Sequence, residues 1–176
     1  MNKFKRAVVW LSRIFYCRGF GIQSPTDYAF VRYVVNEHWS YYAYQQLDST
    51  TDSWLERKLG HLYFRLANWR QPSAMPIDRY TPYWQAGCRK TKMLVDVEVV
   101  ELMRVTVEDI TLEVLLSIYN KVDSQSVLVV EGIDRNRELW HTIERDSHTG
   151  MTFDLYYCGI VFFDKKRQKK NYKVNF

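Results

Sequence analysis

Glycine is scarce and scattered in this 176-residue chain, and its seven glycines never gather into a glycine-rich loop. The G-x-G-x-x-G and G-x-x-x-x-G-K-[ST] signatures, whose bare backbone lets phosphates approach a helix, are therefore absent. Cysteine is rarer still. Cys17, Cys88 and Cys158 are odd in number, far apart and without C-x-x-C spacing, which points to neither a disulfide framework nor a zinc cluster and makes a reducing cytoplasm the expected compartment. The four histidines, His38, His61, His141 and His148, show no ligand spacing, so no metal site is expected. No G-x-S-x-G elbow supports a hydrolase, and no local motif activates a thiol. No catalytic residue is assigned. Long apolar runs are missing as well: Ala7 to Leu11 is too short for a membrane span and has no small-residue cleavage site after it, so neither a transmembrane helix nor a secretion signal is expected.

What is present is ample material for one folded domain, with 47% hydrophobic and 16% aromatic residues. Charge is unevenly placed behind a net value of +5. Lys3, Lys5, Arg6, Arg13 and Arg18 occur before any acid, and Lys165, Lys166, Arg167, Lys169, Lys170 and Lys173 close the chain without one. Setting these five and six bases aside from the 25 leaves 14 against all 20 acids, an acidic body between basic ends. Such ends suit nucleic acid or an anionic membrane surface, or form an ordinary solvated helix face and tail. No RNA-binding signature of aromatics on glycine-spaced strands accompanies them.

Residues 1–70 read as a helical extension and 71–176 as an α/β core, together one compact domain. Phe4, Ala7, Val8, Leu11, Ile14 and Phe15 recur at helical steps as one apolar stripe. Ser24-Pro25-Thr26-Asp27 is a helix start, with Ser24 as cap, and that helix should run to about Glu37. Ser53 and Glu56 form a capping box ahead of a helix reaching Asn68 or Trp69. Gln71 to Pro82, with three of the four prolines, reads as an irregular connection with room for a short extended piece. Strands are expected in Lys92 to Val100 and Arg104 to Val107. Thr111 caps a helix, and Val127 to Val130 is a strand covered on both faces. Asp134 is expected to cap the next helix. Met151 to Tyr157 and Ile160 to Phe163 follow as strands hinged at Cys158-Gly159, and Asn171 to Phe176 as an edge strand. Tyr41, Tyr42, Tyr44, Tyr80, Tyr83 and Trp84 fall in expected connections, where they either line a pocket or partner surface or fill space over the sheet.

Gly21-Ile22-Gln23-Ser24-Pro25, Tyr41-Tyr42-Ala43-Tyr44, Leu62 to Trp69, and Ser126 to Ile133 followed by Trp140 and Gly159 to Phe163 together resemble bacterial class I S-adenosylmethionine-dependent methyltransferases of the Bacteroidetes type. The resemblance touches both ends and about half of the chain. It implies a Rossmann-like, mostly parallel sheet with a terminal antiparallel hairpin, and S-adenosylmethionine held by a glycine-rich loop and an acid near the strand ends. Asp96 and Glu131 are the cofactor-binding candidates on that basis, and Ser24, Tyr28 and Asp134 the ligand-pocket candidates. The chain departs from the pattern in four ways. Pro72 to Tyr80 has no glycine where the cofactor loop is implied, Gly132 replaces a second acid, Gln23 replaces a histidine, and a middle strand–helix unit is missing. The expected function is accordingly that of a degenerate methyltransferase-like protein that no longer transfers methyl groups, does not bind S-adenosylmethionine, and acts by binding a partner or small ligand. The alternatives are an active methyltransferase with an atypical cofactor site and a basic-ended adaptor for nucleic acid or a membrane surface.

Overall fold

The computed structural model describes residues 3–176. Local capping chemistry sets the helix starts. The Ser53 side chain accepts from the Glu56 amide at 3.2 Å while Glu56 accepts from the Ser53 amide at 2.8 Å, and together they launch α4, Trp54–Arg70. Before it lie α1 (Lys3–Ser12), a 3₁₀ turn at Ile14–Tyr16, α2 (Pro25–Phe30) and α3 (Tyr42–Leu47). The helix begun at Ser24 changes to π geometry over Val31–Val35 and stops at Asn36, whose amide reaches back five residues to the Val31 carbonyl. Tyr42–Leu47 is a helix rather than a connection, and Tyr44 points inward from it.

The remaining elements alternate strand and helix: β1 (Ala74–Pro76), α5 (Thr81–Gly87), β2 (Lys92–Leu94), β3 (Leu102–Thr106), α6 (Leu112–Lys121), β4 (Val127–Glu131), α7 (Arg137–Arg145), β5 (Thr152–Asp154), β6 (Cys158–Phe162) and β7 (Asn171–Lys173). The expected irregular connection therefore contains a strand, and Pro82 sits in the first turn of α5. The expected strand Lys92 to Val100 keeps pairing only through Leu94.

The result is a mixed α/β fold with two sheets. β1 pairs parallel with β2, and the main sheet has the order β3-β4-β6-β5-β7. β3, β4, β5 and β7 run one way and β6 runs against them. All five residues of β4 are buried. Alternation divides them between two cores: Val127 and Val129 pack with α2, α4 and α5, whereas Leu128 and Val130 pack with α6 and α7. This is the three-layer arrangement that a continuous apolar strand demands.

Two expectations are corrected. The turn before β6 falls at Leu155 to Tyr157, with Tyr156 in the left-handed region (φ 75°), and Cys158-Gly159 lies inside the strand. The cap of α7 is Asn136, whose side chain accepts from the Leu139 amide at 3.0 Å, in place of Asp134. The aromatic surplus is largely packing: Trp84 is fully buried and stacks on Tyr63 with centroids 4.6 Å apart, and Tyr80 and Tyr83 are buried beside them.

Candidate functional site

In open α/β sheets, ligands settle beyond the carboxyl ends of the strands. Here that place is filled by side chains. Glu131 ends β4, buried, with Oε1 accepting from Arg79 Nη2 at 2.7 Å. Its Oε2 accepts from the Tyr63 hydroxyl at 2.8 Å and from Arg104 Nη1 at 3.2 Å. Arg104, from the middle of β3, also donates through Nε to Asp78 Oδ2 at 2.9 Å. The other Asp78 oxygen accepts from the Trp84 indole at 3.0 Å and the Tyr80 amide at 2.7 Å. The segment that follows β1 is thus drawn across the ends of β3 and β4 and pinned there.

The electrostatics follow from burial. Each carboxylate is taken from water, and guanidinium groups with neutral donors replace its hydration, which is how buried charge is tolerated. Burial, with the nearby Glu131 charge in support, pushes the Tyr63 phenol well above its usual range, so it stays protonated and donates. Tyr80 moves the same way, again mainly by burial. The arrangement fixes geometry and neutralises charge. It offers no polarised nucleophile.

The other residues singled out from the sequence lie apart from this network. Asp96 is beyond β2 in an exposed loop, paired with Lys121 Nζ at 2.7 Å, which together with the Val97 amide holds its carboxyl below the ordinary range. Asp134 is half-buried just past β4, and that burial raises its carboxyl. Ser24 caps α2 by accepting from the Asp27 amide at 3.4 Å and also receives Arg167 Nη2 at 3.0 Å. Tyr28 packs its ring over Gly19. Sequence reasoning found Glu131 but missed Tyr63, Asp78, Arg79 and Arg104. The available signal was Arg104 itself, a long cation inside a β-branched strand segment. Among the described residues no cluster of histidine, cysteine, aspartate and glutamate is arranged to hold a metal ion, and no helix is long and apolar enough to cross a membrane.

A large cavity lies at the opposite end of the strands. It is about 630 Å³, open, and walled mainly by Phe30, Trp69, Phe153 and Phe162, with Asp27 and Arg167 among its polar residues. A smaller, polar cavity of about 320 Å³ is lined by Asn36, Lys58, His61 and Arg65. Lys58 lies 4.4 Å from the Phe176 ring centroid and 5.1 Å from that of Trp54. Burial, reinforced by Arg65 and Arg6, pushes its amine down to about 8. Its unfolded value is near 10.4, so the unfolded chain binds more protons between these limits and stability rises with pH there. Lys58→Met should accordingly stabilise the protein by about 2 kcal/mol at pH 7, with the gain fading between about pH 8 and pH 10 as wild-type Lys58 loses its proton first in the folded state. Urea unfolding of both proteins across that range checks this.

Comparison with protein-family models, with characterised proteins and with solved structures finds no match to this chain.

Proposed function

We propose that the chain is a reduced, methyltransferase-like α/β domain that acts by binding and does not transfer methyl groups. The observation that carries this reading is the occupation of Glu131. The acid that the family resemblance assigns to the cofactor is saturated by Tyr63, Arg79 and Arg104. Asp78, in the span that replaces the glycine-rich loop, holds Arg104 in place. A nucleoside entering at the carboxyl ends of β3 and β4 must displace two guanidinium groups and leave the buried Glu131 and the half-buried Asp78 without a cationic partner, a cost of several kcal/mol.

Three further features support the Rossmann-like part of the reading. Four of the five main-sheet strands share a direction, with the antiparallel β6 inserted between β4 and β5. The short β1–β2 pair packs beside β3. Only residues 95–101 join β2 to β3, and no helix lies between them, as the loss of one strand–helix unit requires. The binding role falls to surfaces away from the sealed end, among them the apolar cavity beside α2.

Thermal unfolding with S-adenosylmethionine and with its demethylated product tests the proposal. A ligand present at 100 times its Kd stabilises the folded state by about 2.7 kcal/mol. Neither compound is expected to shift the transition. Saturable stabilisation in the micromolar range would restore an active enzyme with an atypical cofactor site.

A further inference from the structure

We infer that α1 and the 3₁₀ turn after it form, with the basic tail, a docking surface for an anionic lipid bilayer. This proposal stands on residues 3–20, their anchor at Asp154 and the basic tail, and is independent of whether the sheet binds a cofactor.

The apolar stripe of the first helix faces away from the protein. At 100° per residue, Phe4, Val8 and Leu11 fall within about 60° of one another. They are 75%, 49% and 59% exposed, and Phe15 in the following turn is 77% exposed. The opposite face is the one that binds the body: Val9 is buried, and Arg13 reaches inward. Arg13 Nη1 donates to the carbonyls of Asp154 at 2.8 Å and Val174 at 3.2 Å, and Nη2 to Asp154 Oδ1 at 2.9 Å. Burial alone would raise the Asp154 carboxyl, but its hydrogen bond from Arg137 and the charge of Arg13 hold it below the ordinary range, so the anchor stays ionised. The rotation of α1 is thereby fixed with its greasy side outward.

Charge selects the occupant. The fold brings the two basic ends of the chain together at the edge of the sheet. The Asn175 amide donates to the Tyr16 carbonyl at 2.9 Å, and its side chain donates to the Trp10 carbonyl at 3.1 Å. β7 is the outermost strand. Lys3, Lys5 and Arg18 are exposed from one end, and Lys165, Lys166, Lys170 and Lys173 from the other. The first acid of the chain, Asp27, is buried and paired with Arg167 at 2.8 Å. Protruding apolar side chains on a helix that also exposes cations, beside an edge strand that exposes more, are the features of helices that lie in the headgroup region of an anionic membrane. A phosphate backbone would use the lysines and leave the exposed phenylalanines and leucine idle.

The test is co-sedimentation of the full chain with vesicles of phosphatidylcholine, either alone or with about 30 mol% phosphatidylglycerol, at low and high salt. Binding is expected to the anionic vesicles only and to weaken as salt rises. Leu11→Glu and Phe15→Glu, both at exposed positions, should each lower vesicle affinity by about tenfold or more while leaving thermal stability unchanged. Leu112→Glu, at an exposed position of α6, should leave binding as it is. Failure to bind anionic vesicles, or binding that Leu11→Glu and Phe15→Glu do not weaken, overturns the proposal. So does a stable dimer at the same concentration that Leu11→Glu dissociates, which assigns the face to a second copy. Salt-sensitive RNA or DNA binding unaffected by Leu11→Glu, without vesicle binding, assigns the lysines to nucleic acid and likewise overturns it.

Discussion

Replacing Arg104 with alanine is expected to destabilise the protein by about 3–5 kcal/mol, the range found when one partner of a buried ion pair is removed. The Arg104 side chain bridges Asp78 and Glu131, at 2.9 and 3.2 Å, and is about as buried as that of Glu131. Without it, Glu131 keeps Arg79 and Tyr63, but Asp78 loses its one ion pair among the described residues. The double variant Arg104→Met with Glu131→Gln should lose less than the sum of its parts, since the two residues share one contact. Chemical denaturation of Arg104→Ala and of the four proteins in this cycle measures both the loss and the coupling. An Arg104→Ala loss below about 1 kcal/mol would mean that the ion pairs are loose surface contacts.

The second large effect is expected at Gly159. This residue sits in β6 with partners on both sides, Val130 in β4 and Asp154 in β5, so its backbone cannot slide. A Cβ there would lie 2.2 Å from Cη2 and Cζ3 of Trp140, a side chain that is fully buried. The indole lies on the glycine as a lid lies on a flat plate. Gly159→Ala must expel or rotate that ring, and a loss of about 3 kcal/mol is expected, at the upper end of the overpacking range. Trp140→Phe in the same background removes the outer part of the indole that a Cβ meets and should recover part of the loss. Thermal unfolding of the single and double variants decides this, and independent, additive losses would contradict it.

Gly159 also marks the limit of what the sequence conveys. A glycine between two aromatic runs reads as a hinge, because a turn is the commonest reason for one. Its actual reason is a tryptophan from another layer, which no local pattern encodes. The same holds for the site. Glu131 was legible as an acid closing a buried strand, but its partners come from α4, the segment after β1, and β3, which are 27 to 68 residues away along the chain. Helix starts were legible wherever one side chain does the work, as at Ser24, Ser53 and Thr111. Asp134 and Asn136 are two residues apart and both able to cap, and the backbone chose the second. Periodicity gave α1 an apolar stripe correctly. It could not say which way the stripe would face, since that depends on Arg13 meeting Asp154 at the far end of the chain.

The sealing of the sheet is the claim on which the functional reading rests, and a crystal structure grown with saturating S-adenosylhomocysteine tests it most directly. The account predicts Arg104 still between Asp78 and Glu131, with no nucleoside at the ends of β3 and β4. A nucleoside seated there with Arg79 and Arg104 swung aside would contradict it.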